Sequence, residues 1–189
     1  MSDAVGFVLF DTAIGPCGMA WGERGIVGCF LPESDEAITR RRMRQRFPGA
    51  PEGNAPGWVQ ALAERVVALL RGEAVALHDA PLDMSGVPEL HRRVYEIALR
   101  IRPGDTLSYG DIARELGDLS LARAVGQALG RNPFAPIVPC HRVLAAGGKS
   151  GGFSARGGLA LKLQLLTIEG ARFGDAPGLF DAAPEAATA

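Results

Sequence analysis

The stretch "GGLALKLQLLTIEG" (157–170) limits the fold more than any other. At helical spacing, Leu159, Leu163 and Leu166 line one face, and Leu161, Leu165 and Ile168 line another. A helix apolar on two sides belongs in an interior, so other elements must enclose it. The residues ahead of it supply candidates. Pro88 suits a first helical turn. Leu90, Val94, Ile97, Ala98 and Ile101 form one stripe, closed by "RPGD". "SYGDIARELG" reads as a short helix with Gly117 near its end. After a turn at 118–120 comes a second short helix, "LARAVGQALGR", for which Ser120 can supply the N-cap. Two short helices joined by a tight turn read as helix-turn-helix.

The first half follows another period. "VGFVLFDTAIGPCGMAWGERGIVGCFLPE" holds three short apolar runs split by turn residues, so it reads as an antiparallel meander over 5–11, 18–22 and 25–31. "DEAITRRRMRQRF" reads as a helix carrying Arg40, Arg41, Arg42, Arg44 and Arg46. Such a run is most often a solvated face, with DNA contact the lesser reading. Residues 48–57 form a loop. Trp58, Leu62, Val66, Leu69 and Leu70 mark a helix over 57–71 that packs back on the meander. A boundary in 81–86 gives an N-terminal unit (1–84) and a second unit (85–172). Residues 173–189, rich in Ala, Pro and Gly, are expected to be a disordered tail.

Charge separates the halves. The chain carries a net −1, but residues 1–84 hold 8 basic and 11 acidic side chains, while residues 85–172 hold 12 and 7. A basic second unit suits a polyanion, although uneven surface charge explains the same numbers. No apolar run is long enough to span a bilayer, and the start lacks a basic n-region with a small-residue cleavage site. Three cysteines, Cys17, Cys29 and Cys140, give an odd count without CxxC spacing. That favours a reducing, cytoplasmic setting. Cys17, Cys29, His78 and His91 show no metal-ligand spacing, so neither a metal nor another cofactor is expected.

The segment "FAPIVPCHRVLAAGGKSGGFSARGG" holds one thiol between prolines and a glycine-rich loop. Cys17 and Cys29 fit strand patterns as small buried hydrophobes. Cys140 stands directly before His141, and a histidine is the usual agent that makes a thiol nucleophilic. Neighbours in extended chain point to opposite faces, so a Cys140–His141 link needs a local bend or a bridging water. Glu169 sits at the C-terminal end of the last helix, where the dipole disfavours a negative charge. It is either a solvated helix-end carboxylate or the third member of a Cys–His–Glu relay. The second helix of the helix-turn-helix offers Ala122, Arg123, Ala124 and Gly126. Small side chains with one long cation suit shallow groove docking with an inserted side chain better than major-groove readout.

These motifs together resemble the methylated-DNA–protein-cysteine methyltransferases. "RPGDTLSYGDIA", "ARAVGQALGRNP", "IVPCHRV" and the "GGLALK…LL…EG" helix follow the family's order and spacing over about residues 86–170. The resemblance implies an α+β fold: an N-terminal RNase H-like antiparallel sheet with helices, then an all-helical winged-helix or helix-turn-helix-like domain. It implies a protein acting as a monomer, without cofactor or membrane, on double-stranded DNA containing alkylated guanine. Cys140 would accept the alkyl group, with His141 as water-mediated base and Glu169 as its orienting carboxylate. Asn132 would stabilise the thiol's turn. Tyr109 would help flip the nucleotide and donate toward guanine N3, and Arg123 would replace the extruded base. Ser108, Ala122, Ala124 and Gly126 would face DNA. Val138, Pro139, Phe153 and Ser154 would frame the base pocket, Ser154 as a hydrogen-bond donor.

The chain departs from the pattern at "SARGG", a longer loop than in many members, and at Tyr95, where relatives often carry tryptophan. Three rival readings remain: a non-repairing relative that binds alkylated DNA, a helix-turn-helix regulator with a structural cysteine, and a cysteine hydrolase. Cys140 argues against the first, and no oxyanion-hole pattern supports the last.

Overall fold

The structure is a computed structural model that describes residues 4–172; the tail at 173–189 lies outside the described residues. The elements run β1 (Gly6–Phe10), β2 (Cys17–Gly22), β3 (Gly25–Phe30), α1 (Glu36–Arg46), α2 (Gly57–Leu70), α3 (Glu89–Leu99), β4 (Leu107–Ser108), α4 (Tyr109–Glu115), α5 (Ala122–Gly130), β5 (Val143–Leu144) and α6 (Gly158–Ile168). The class is α+β, with an antiparallel sheet in the order β1-β2-β3. Among the described residues no helix is long and apolar enough to cross a membrane.

Strand alternation sends Cys17, Met19 and Trp21 to one face of the sheet, where they join α2 residues Val59, Leu62 and Val66 in the main core. Phe7, Ala20, Val27 and Phe30 face the other way and pack with Met43 and Phe47 from α1 and its end. Both faces are therefore covered, and every residue of β2 and β3 is buried. The main core continues without a break into Val94, Ile112, Val125, Val138 and Leu165 of the second half.

Helix α1 starts where the Asp35 side chain accepts from Ile38 N–H at 2.8 Å, a side-chain N-cap. Three arginines of its basic run are held by carboxylates: Arg40 by Glu36 and Glu52, Arg42 by Glu33, and Arg44 by Glu52. Arg46 lies over the Phe47 ring. In α2 the inward stripe differs at one position from that read in the sequence. Val59 takes the inward place one step round the helix, and Trp58 is left 41% exposed.

The edge of β3 receives two segments from further along the chain. Ile26 N–H donates to Pro81 O at 2.7 Å, and Asp83 N–H donates to Ile26 O at 2.8 Å. Cys29 N–H donates to Pro133 O at 2.8 Å. The first contact is so close that a Cβ on Gly25 would lie 2.3 Å from the Pro81 carbonyl oxygen, at a φ of +143°.

In the second half, Ser108 caps α4 in a reciprocal capping box with Asp111. Gly117, at φ 98°, ends the helix. Ser120 does not cap α5, contrary to the sequence reading. Asp118 accepts from Ser120 N–H and opens a 3-10 turn, Leu119–Leu121, that runs straight into α5. Ala122 N–H bonds Leu119 O, so the turn itself satisfies the start of the helix. The two-residue strands β4 and β5 pair in parallel, Leu107 with Val143 and Ser108 with Leu144. This pairing fixes the start of α4 beside the residues that follow Cys140.

Helix α6 corrects the opening expectation. Leu161, Leu165 and Leu166 are buried, but Leu159 is 46% exposed, because no neighbouring element covers that side. The inward side instead encloses a lysine, Lys162. Gly25→Ala is expected to destabilise the fold by roughly 1–3 kcal/mol in urea unfolding. Gly53→Ala, with open space around its Cβ, should leave the midpoint unchanged.

Candidate active site

Cys140 opens a 3-10 turn, Cys140–Arg142. The turn is clamped from below by Asn132. Its amide Nδ2 donates to Val138 O at 2.8 Å, and its Oδ1 accepts from Phe134 N–H at 2.9 Å. Cys140 N–H also bonds Val138 O, and Arg142 N–H bonds Pro139 O. Val138 and Pro139 are buried beneath the thiol. Burial pushes the Cys140 thiol above its ordinary value, while the Asn132 side chain and the Lys162 charge pull the other way. Asn132 thus both shapes the turn and favours the thiolate.

The turn carries His141 inward. Its Nε2 lies 3.0 Å from Glu169 Oε1, and both side chains are buried. Arg142 grips the same carboxylate with two bonds, Nε to Oε2 and Nη2 to Oε1, each 2.8 Å. Its Nη1 donates to Ile101 O, at the end of α3. Burial alone would raise the Glu169 carboxyl, but the His141 and Arg142 hydrogen bonds outweigh it and bring the pKa down to about 2. Burial lowers the His141 pKa, with Glu169 opposing. The imidazole is therefore neutral near pH 7. With Nε2–H donated to a fixed carboxylate, the lone pair sits on Nδ1. That buried atom has no hydrogen-bond partner among the described residues.

Cys140 is 9% exposed, and that access leads to two cavities. One, of 440 Å³, is lined by Tyr109, Gly126, Leu129, Cys140, Phe153 and Ser154, among others. The other, of 470 Å³, lies toward α1 and reaches Arg42, Arg46, Arg131 and Asn132. Tyr109 is the first residue of α4. A Cβ on Gly126 would lie 3.8 Å from its ring, so the ring stands against α5. Burial raises the Tyr109 hydroxyl, and charge on Cys140 adds to the effect. Ser108 is committed to its capping box. Arg123 is exposed on α5 with no ion pair among the described residues, between half-buried Ala122 and Ala124.

The family described as "6-O-methylguanine DNA methyltransferase, DNA binding domain" matches residues 89–171. A "Methylated-DNA--protein-cysteine methyltransferase" of Mycobacterium bovis is 41% identical over 126 residues, 67% of this chain and 74% of that protein. The chain belongs to the methylated-DNA–protein-cysteine methyltransferase family. The likeness of this methyltransferase-family chain extends over the whole fold. The crystal structure of Mycobacterium tuberculosis OGT in complex with DNA superposes with a TM-score of 0.71 at 34% identity, covering 88% of this chain and 93% of that one. A "DNA base-flipping protein" of Thermus thermophilus is 39% identical over 156 residues, 82% of this chain and 96% of its own.

The structure brings Cys140, His141, Glu169, Asn132 and Tyr109 together, with Phe153 and Ser154 across the cavity. Arg123 is exposed on α5, while Ala122 and Ala124 are half-buried and Ala122 packs against the main core. Sequence reasoning missed two residues of this methyltransferase-family site, Arg142 and Lys162. The first stood beside His141 in the motif. The second was the lone cation within an apolar helix. Arg142→Met would leave the Glu169 charge buried without its fork, so a loss of about 3–5 kcal/mol is expected in denaturant unfolding.

Proposed function

We propose that this protein repairs DNA by direct reversal. It transfers the alkyl group of 6-O-alkylguanine, and less well of 4-O-alkylthymine, from double-stranded DNA to its own Cys140. The observation that carries this reading is the place of Cys140 in the wall of the 440 Å³ cavity, with the His141–Glu169–Arg142 cluster behind it. A cavity of this size falls in the range of small-ligand pockets. The family's name and the DNA-bound relative support the substrate.

A base inside a duplex is shielded, so the lesion must rotate out to reach Cys140. Helix α5 meets the minor groove through Ala122, Ala124 and Gly126, whose small side chains let the backbone come close. Arg123 enters the stack where the base has left. Tyr109, at the junction of α4 and α5, meets the turned-out nucleotide. The pocket serine Ser154 hydrogen-bonds the base.

Burial keeps the thiol protonated in the resting protein, so its proton must leave as the bond forms. A water passes it to Nδ1 of His141, and the ionised Glu169 stabilises the imidazolium. The Cys140 sulfur then displaces guanine at the alkyl carbon. The S–C bond forms as the C–O bond breaks, and the electron pair departs with the purine. Tyr109 donates toward ring nitrogen 3 and stabilises that developing charge. The product is a thioether, and no group in the site can hydrolyse it, so each molecule acts once.

Intact-mass measurement after mixing with a duplex holding one 6-O-methylguanine tests the reading. The expected result is the gain of one methylene, stopping at one equivalent and abolished in Cys140→Ala. DNA binding with no mass gain would contradict the transfer and favour a non-repairing reader of alkylated DNA. Arg123→Ala should slow repair of duplex far more than reaction with free alkylguanine, and equal losses would remove its stacking role. The pH profile follows from the signs of the shifts. Protonated His141 cannot accept a proton, so the rate falls in acid, at a midpoint below the ordinary 6.5. The raised thiol makes the rate climb through neutrality. The Tyr109 donor, raised above 10.0, survives to high pH. A single-turnover rate that is flat between about pH 5 and pH 9 would contradict this assignment.

A further inference from the structure

We infer that Lys162 is a positioning residue for the transfer: its buried ammonium supplies the fixed positive charge that favours the reacting thiolate of Cys140. This inference rests on the reading of Cys140 as the acceptor.

Lys162 is 0% exposed, inside the inward face of α6 between Leu161 and Leu165. It is one of only two lysines in a chain that otherwise uses arginine. A lysine is the compact point charge of the pair and fits where a guanidinium fork does not. Its Nζ donates to Val143 O at 2.6 Å, and no carboxylate pairs with it among the described residues. A buried cation without an anion is costly, and burial pulls its pKa down to about 8. The anion it lacks is the one the reaction creates. Charge on Cys140 holds Lys162 protonated, and Lys162 in turn favours the Cys140 thiolate.

The surroundings favour this cation over the others. Val143 ends the turn that begins at Cys140, so the ammonium is tied to the backbone carrying the thiol. The Tyr109 ring centroid lies 6.0 Å from Nζ, within reach of a cation–π contact. Other groups facing Cys140 are His141 on its own turn, Asn132 ahead of it, Tyr109 from α4 and Tyr95 from α3. Across the second cavity stand Arg42 and Arg46 of α1 and Arg131 after α5. Arg46 and Arg131 are exposed and screened by water, and Arg42 is bound to Glu33. Lys162 is the fully buried cation of the set.

The test uses the full chain and two readouts: alkylation of Cys140 by iodoacetamide, followed by peptide mass across a pH series, and single-turnover methyl transfer from a 6-O-methylguanine duplex. Lys162→Met removes charge and donor. Lys162→Gln keeps a donor for Val143 O and removes only the charge. Both are expected to raise the apparent thiol pKa by about one unit. Both readouts should slow about tenfold at neutral pH and converge with the unaltered protein in alkali. A Gln variant with an unchanged pH profile would overturn the charge role and leave only a backbone tie.

Should both variants fail to fold, the native protein still decides the matter. NMR titration of carbon-13-labelled lysine should show Lys162 losing its proton at higher pH once iodoacetate has placed a carboxymethyl anion on Cys140 than in the unmodified protein, because the ammonium then faces a fixed anion. Identical titrations would overturn the inference. Absence of methyl uptake by the unaltered protein would instead sink the functional reading, with the thiol and lysine titrations still readable.

Discussion

The architecture of the site depends on one buried ion pair. Glu169 closes α6 at the end where the helix dipole repels a carboxylate, and its side chain is 3% exposed. Such a charge is tolerable only with a close, well-shaped partner. Arg142 provides one with a two-bond fork and uses its remaining arm on Ile101 O. The pair thereby pins the thiol turn to the ends of two helices, α3 and α6. The His141 tautomer follows from it, because a carboxylate that cannot take a proton must accept one bond from Nε2. The basic lone pair is then left on Nδ1, a buried atom without a hydrogen-bond partner among the described residues.

The N-terminal sheet contributes mechanically. β3 presents Cys29 N–H to Pro133 O, directly behind the Asn132 clamp, so the thiol turn is braced from both halves. The three thiols of the chain sit in different surroundings. Cys17 is pushed up to about 12 by burial, with only Thr12 opposing. Cys29 is likewise raised, by burial and by its neighbour Cys17. Cys140 is also raised by burial, but it has Asn132, Lys162 and backbone donors against that rise, and it lines both cavities. Selectivity between the thiols is thus a matter of compensation as well as access.

What the sequence disclosed follows from the range of each interaction. The three strands, the helix α1 and the helix-turn-helix spacing rest on local periodicity and turn residues, and they were legible. Glu169 could be suspected because a carboxylate at a helix C-terminus is locally anomalous. Its partner Arg142 could not be read, since the pairing depends on a turn that folds 27 residues back onto α6. Lys162 was hidden for a similar reason. A cation in an apolar run reads as a solvent-facing position, and only the packing of α6 against Val143 turns it inward. Ser120 misled because it has the right chemistry for a cap but stands one residue too early, inside a 3-10 segment that caps α5 through its own carbonyl. Trp58 and Leu159 were assigned inward by periodicity, which gives angle around a helix but not where its neighbours end.

An ionised Glu169, locked by Arg142, holds His141 neutral with its lone pair on the buried Nδ1. Nitrogen-15 chemical shifts of histidine-labelled protein, with the His141 ring assigned through His141→Gln, measure this directly at neutral pH. The expected result is a protonated Nε2 and an unprotonated Nδ1. A proton on Nδ1, or an imidazolium already formed in the resting protein, would contradict it.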